Sequence, residues 1–226
     1  MTDTHHDFVP ALGKAGNIAR YDAVLALMTR EKKWRADLVR LIAPRDGETI
    51  VDIGCGTGTL AIALHAKAPG GNIFGVDPDP AILEIARRKA ENSGARVQWF
   101  EAMGSALDAI APIQNCDKIV SSLVLHQCPM DAKVAIARQM WRLLKPGGEL
   151  FVADYGEQRS RLMRMLFRQV QMIDGFALTE PNARGCIPDI LRNAGFRDVE
   201  EVQVIATPTG SISLYRGYRG QPARPD

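Results

Sequence analysis

The stretch VDIGCGTGTLAIAL, Val51 to Leu64, decides the fold. Its apolar strand runs straight into Gly54, Gly56 and Gly58 and then, with no spacer, into a helix-forming run. Glycines at such a corner let backbone approach a ligand where a side chain would block it, and they accept the positive φ of a tight strand-to-helix turn. Asp52, two residues before the first glycine, is an acid at the loop end of an otherwise apolar strand. A dinucleotide loop G-x-G-x-x-G counted from Gly54 would place its last glycine where this chain has Thr59; the spacing here is G-x-G-x-G. Nothing in it is laid out to cradle a pyrophosphate. Some twenty residues further on, Asp77 closes a second apolar run, NIFGVD, where a carboxylate accepts hydrogen bonds from both hydroxyls of a ribose.

Outward from this loop the chain alternates. TIVDI, NIFGV, RVQWFE, DKIVSS and ELFVA are short runs rich in Val, Ile and Phe, separated by helical or loop sequence, the rhythm of a parallel sheet with crossover helices. Ile82, Ile85, Ala86 and Ala90 make one helical stripe, with Arg87, Arg88 and Lys89 on its wet side. Val134, Ala137, Met140, Trp141 and Leu144 make another, which stops at Lys145-Pro146-Gly147-Gly148. Upstream, Tyr21, Val24, Leu25 and Met28, then Trp34, Leu38, Leu41 and Ile42, predict two helices before Pro44. Downstream, VEEVQVIAT and SISLYRGY are joined through Pro208 to Gly210, too close for a crossover, so they pair antiparallel. The expected fold is a single α/β domain: a Rossmann-like, doubly wound, seven-stranded and mostly parallel sheet with an antiparallel last strand. An N-terminal helical cap spans 1–45, the sheet domain 46–218 and a tail 219–226.

Composition narrows the partners. The chain has 226 residues, with 28 Lys and Arg against 26 Asp and Glu, a net +2 that gives no sustained positive field for nucleic acid. No apolar run approaches the ~18 residues of a membrane span, and the opening MTDTHHDF lacks the basic-then-apolar pattern of a signal peptide, so no stable membrane insertion and a cytoplasmic location are expected. Cys55, Cys116, Cys128 and Cys186 lie far apart with no C-x-x-C pair, and His5 and His6 have no partner at ligand spacing. Neither a disulfide framework nor a metal site is indicated.

The motifs DIGCGTG, GVDPDP and LKPGGEL resemble those of the class I S-adenosylmethionine-dependent methyltransferases, and the order of elements is similar to that fold from about Ala36 to Tyr218. The resemblance implies S-adenosyl-L-methionine as cofactor. Its methionine part would lie on Asp52, Gly54, Cys55 and Gly56, its ribose on Asp77, and its adenine beside Pro78, with Ser121 at the end of the fourth strand also against the cofactor. After the third strand, where the family has an acid and then a small residue, this chain has Met103 and Gly104; a thioether packs on adenine but accepts hydrogen bonds poorly, so backbone and stacking hold the ring or Glu101 reaches instead. Cys55 is small and apolar enough simply to fit its loop.

CDKIVSSLVLHQCP is similar to the family's fourth strand and following loop, with Cys116 in place of an aromatic and Gln127 in place of a second histidine. That loop borders the methyl group in the family, so the resemblance makes His126 either the general base for the acceptor or a brace for the loop, with Asp154 and Tyr155 facing the same pocket. The insertion at about 156–195 commonly lines the acceptor site in this fold. In it, Leu162, Met165, Leu166, Val170 and Ile173 recur at helical spacing with Arg161, Arg164 and Arg168 on an adjacent face. That helix is open to three readings: packed with a solvated basic side, closed over an apolar acceptor with an anionic group, or lying on an anionic membrane surface.

The implied reaction is methyl transfer to a small molecule, the signatures being nearest the group containing the ubiquinone and menaquinone C-methyltransferases. The acceptor atom, whether oxygen, nitrogen, sulfur or carbon, and the oligomeric state stay open. Ser121-Ser122-Leu123-Val124 stands where amino methyltransferases of nucleic acids carry N-P-P-Y or D-P-P-Y. A nicotinamide-dependent oxidoreductase and a non-catalytic cofactor-binding scaffold are the alternatives; the first would show G-x-G-x-x-G, and the second is motivated by Met103 and by the missing second histidine.

Overall fold

A computed structural model describes residues 29–220. The expected helix at Tyr21–Met28 and residues 221–226 of the tail lie outside the described residues.

Seven strands form one sheet in the order β3-β2-β1-β4-β5-β7-β6. They are β1 (Thr49–Ile53), β2 (Asn72–Asp77), β3 (Val97–Glu101), β4 (Cys116–Ser122), β5 (Leu144–Tyr155), β6 (Phe196–Thr207) and β7 (Gly210–Arg219). β3, β2, β1, β4 and β5 pair in parallel, while β7 runs antiparallel to both β5 and β6. The short Pro208–Gly210 link forces that reversal, and the sheet has the expected topology.

Period-two alternation divides the core between the two faces of the sheet. Val51, Ile53, Ile119, Leu150 and Val152 face one layer, which holds helix α4 (Met130–Leu143). Ile50, Val120, Phe151 and Ala153 face the other, with α1 (Glu31–Ile42), α2 (Thr59–Lys67) and α5 (Arg161–Asp174). Strands buried on both sides need apolar residues at consecutive positions, which is why TIVDI reads as a continuous run. α3 (Pro80–Ser93) starts cleanly because Asp79 accepts from the N–H groups of Ala81 and Ile82, and it ends at Gly94 in the left-handed region.

Two local expectations change. Lys145-Pro146-Gly147-Gly148 is not a free turn after α4: β5 begins at Leu144, and these residues form a bulge between the pairs Cys116–Leu144 and Lys118–Glu149. The stripe expected on α5 is also split. Phe167 and Val170 pack inward, whereas Leu162, Met165 and Ile173 point to solvent. After α5 the insertion continues as α6 (Phe176–Ala183) and α7 (Ile187–Asn193).

Candidate active site

Because β2, β1, β4 and β5 are neighbours and parallel, their carboxyl ends bring four loops to one edge of the sheet, the usual ligand-binding edge of such folds. The loop after β1 is fixed from both sides. Gly54 and Cys55 both donate to the Val76 carbonyl, at 2.8 and 3.0 Å, and the Gly56 N–H donates to Asp77 Oδ2 at 2.9 Å. Asp77 Oδ1 accepts from the Asp79 N–H at 3.0 Å. Each carboxylate oxygen therefore keeps a lone pair free for a ligand hydroxyl. Burial raises the Asp77 pKa, and these two N–H groups offset part of the rise.

Two glycines do different work. A Cβ on Gly54 would sit 2.2 Å from Val124 Cγ2, so this glycine lets the loop after β1 press against the loop after β4. Gly56, at φ +53, has nothing within 4 Å of a Cβ position; its bare face is open space above the loop. Gly56→Ala should therefore cost the fold only the left-handed penalty of about 1–2 kcal/mol, yet fill the space a ligand needs. The expected outcome is a modest loss in thermal melting with a much larger loss of cofactor affinity, read by calorimetry.

Asp52 shares the Ile50 face of β1, under α1 and α2, and is fully buried with neither carboxylate oxygen hydrogen-bonded among the described residues. Burial pushes its pKa up to about 7; the Arg35 guanidinium offsets part of this, and Asp77 adds to it. Arg35 on α1 pairs with Glu31 but leaves its buried Nε–H without a partner. An orphaned carboxylate and an orphaned guanidinium N–H on one side of the loop call for a ligand with both a cationic and an anionic group.

The loop after β4 carries the second constellation. A turn of 3-10 helix over Leu125–Gln127 buries His126, whose Nδ1 lies 2.7 Å from Asp154 Oδ1 at the end of β5. Asp154 also accepts from the N–H groups of Leu125 and Tyr155, both at 2.7 Å, so its orientation is over-determined. The other ring nitrogen, Nε2, faces Asp174 Oδ2 at 3.4 Å and the Gln127 amide at 3.3 Å. Tyr155 packs edge-on against the imidazole at 5.0 Å. Burial alone would lower the His126 pKa, but the two carboxylates outweigh it and push it up to about 9.

Among known proteins, a family model described as a methyltransferase domain matches residues 50–148, the stretch that holds the glycine loop, Asp77 and His126. The demethylmenaquinone methyltransferase of Thermus thermophilus is 34% identical over 60% of this chain and 61% of its own length. The ubiquinone/menaquinone biosynthesis C-methyltransferase of Syntrophotalea carbinolica is 26% identical over 90% of this chain and 91% of its own. These matches support the resemblance of the chain to the class I S-adenosylmethionine-dependent methyltransferases. The same fold occurs in magnesium protoporphyrin IX methyltransferase from Synechocystis, solved with bound S-adenosylhomocysteine, at a TM-score of 0.66 and 17% identity over 92% of this chain and 90% of that one. The chain spans about three fifths of the length of the Thermus and Symbiobacterium relatives it matches, 61% and 59%.

The residues present fit S-adenosylmethionine. Asp77 offers free lone pairs for a ribose, Gly56 an open face, and the unpartnered Asp52 carboxylate and Arg35 Nε–H a place for the ammonium and carboxylate of an amino acid. Other expected contacts sit differently. Ser121 is buried with its hydroxyl donating to the Ile53 carbonyl at 2.8 Å, so its side chain braces β4 against β1 under the loop. Cys55 is buried, and burial holds its thiol well above the usual range. Packing is its visible role. Pro78 is half-buried beside Asp77, Met103 is exposed at the edge, and Gly104 packs where a Cβ would meet Ile53 and Ile136. Glu101 is exposed at the end of β3.

Sequence reasoning missed two participants. Lys133 is fully buried on α4 and donates to the carbonyls of Leu125 and Leu178, tying the His126 loop to α6. Its signal was there, since Lys133 shares the helical stripe of Ala137, Met140 and Leu144. Asp174 had no local signal; only folding brings the end of α5 to His126.

Proposed function

We propose that the protein transfers the methyl group of S-adenosylmethionine to a small phenolic acceptor of the reduced-quinone type, with His126 as general base. The observation that carries this is the packing of Gly54 against Val124, which sets the cofactor loop beside the loop holding His126 and Asp154. The quinone methyltransferases among the relatives support the acceptor class. When bound, the cofactor supplies an electrophilic methyl on a sulfonium. The chain's own residues then do the rest. Asp77 and the glycine loop fix the cofactor, and the burial around His126, Tyr155 and Phe167 keeps water from the transfer. Asp154 fixes the tautomer so that Nε2 is the nitrogen left to take the acceptor's phenolic proton, which raises electron density on the ring being methylated. The free thiols Cys55, Cys116, Cys128 and Cys186 support a reducing, cytoplasmic setting.

The direct test is incubation with labelled S-adenosylmethionine and a panel of reduced quinones, simple phenols, thiols and amines. Label should enter the quinol, and transfer to thiols or amines alone would remove the phenolic acceptor.

The bracketing of His126 by two carboxylates sets the pH dependence. Around the ring stand Asp154 and Tyr155 from β5, Asp174 from α5 and Gln127 from its own turn, with Lys133 of α4 close to Asp154. A histidine with its pKa raised to about 9 is protonated at neutral pH, so kcat/KM should climb as pH rises and level off above about 9. Asp174→Asn removes one carboxylate, so the inflection should move to lower pH. A pH profile identical in the two proteins would mean that His126 does not titrate in the reaction.

A further inference from the structure

α5 carries more apolar surface than the core uses. Phe167 and Val170 pack inward, yet Leu162, Met165, Met172 and Ile173 are 55, 60, 86 and 65% exposed, and Phe176 at the start of α6 is 62% exposed. Leu162, Met165, Gln169 and Met172 follow one another at three- and four-residue steps along α5, so the exposed side chains of that helix form one ridge rather than scattered singles. Along one edge of this ridge run Arg161, Arg164 and Arg168. Arg164 is engaged by Glu180, whereas Arg161 and Arg168 have no ion pair among the described residues. Asp174 is the one acid on the helix, and it is turned to His126.

We propose that this ridge docks on the surface of an anionic phospholipid bilayer. The occupant follows from shape and charge. The outer side of a helix encloses no small molecule, so its partner is an extended apolar medium. A guanidinium row beside the ridge suits lipid phosphates, with the methionines and Phe176 entering the acyl boundary. A second copy meeting the ridge through a twofold axis would set arginine row against arginine row. No helix among the described residues is long and apolar enough to cross a membrane, so the contact is peripheral. Its use rests on the acceptor class proposed above: α5 ends at Asp174, 3.4 Å from His126, so docking brings the mouth of the acceptor site to the bilayer that holds an apolar-tailed quinol. The docking itself rests on the ridge alone.

The test is cosedimentation of the full chain, without cofactor or acceptor, with vesicles of phosphatidylcholine alone or mixed with phosphatidylglycerol. The protein should bind the anionic vesicles roughly a hundredfold more tightly at low salt and lose most of that preference at high salt. The double variant Met165→Glu/Met172→Glu should lose at least about tenfold in binding while methylating a short-chain, water-soluble acceptor as well as the wild type does. Three results would overturn the proposal: wild type left in the supernatant with both vesicles, equal binding by the double variant, or a wild-type dimer that the double variant dissolves. Transfer to the soluble acceptor without vesicle binding would remove the docking alone. Vesicle binding without transfer to any acceptor would support the docking and remove the function.

Discussion

Asp77→Ala should weaken binding of S-adenosylmethionine by at least about a hundredfold. The carboxylate stands at the end of β2 with one lone pair of each oxygen used by the Gly56 and Asp79 N–H groups and the others free. Hydrogen bonds to a charged acceptor contribute about 1.5–3 kcal/mol each, so losing two ribose contacts alone removes two or more factors of ten. The variant also releases Gly56, which slackens the loop that the cofactor's methionine part would occupy. Asp77→Asn separates the effects: it keeps one acceptor oxygen and should bind between the two extremes. Calorimetric titration reads all three proteins, and an alanine variant with wild-type affinity would remove Asp77 from the site.

Substitution of His126 should leave cofactor affinity intact and lower kcat by about 10²–10⁴, the usual contribution of a positioned general base. Alanine is a poor probe alone, because it takes the imidazole away from the buried Asp154 carboxylate, and an uncompensated buried charge costs about 3–5 kcal/mol. His126→Asn is the better one: its amide nitrogen reaches the place of Nδ1 and keeps a donor on Asp154, but nothing takes the place of Nε2. With S-adenosylmethionine affinity and melting temperature close to wild type, the lost turnover reports the missing proton acceptor. An asparagine variant with full kcat would make His126 a brace of the loop after β4.

The sheet was legible because parallel strands covered on both faces must be apolar at consecutive positions, so TIVDI, NIFGV and DKIVSS announce themselves. The glycine loop was legible for a related reason. Gly54 and Gly56 are fixed by backbone geometry at one corner, and Asp77 follows at the spacing of one crossover. The bulge at Lys145–Gly148 was not, since Pro and Gly mark a break in a helix without saying whether the chain then leaves the sheet or joins it. Nor was the split of the α5 stripe. Helical periodicity reports which residues share a face, and only the packed neighbours decide that Phe167 and Val170 are covered while Met165 and Ile173 are bare. Within the site, His126 and Asp154 were found through the family resemblance, but the way they are held depends on partners distant in sequence. Asp174 meets His126 through the end of α5, a contact that no local pattern encodes, whereas Lys133, which ties down the His126 loop, sits on the legible stripe of α4.

The most direct test is titration of the wild-type protein with S-adenosylmethionine and, separately, with NADH, followed in a calorimeter. One saturable site for the sulfonium cofactor, and no heat from the dinucleotide, is the predicted result, as the G-x-G-x-G spacing and the unpartnered Asp52 carboxylate and Arg35 Nε–H require. Binding of NADH alone would contradict it, and so would binding of neither.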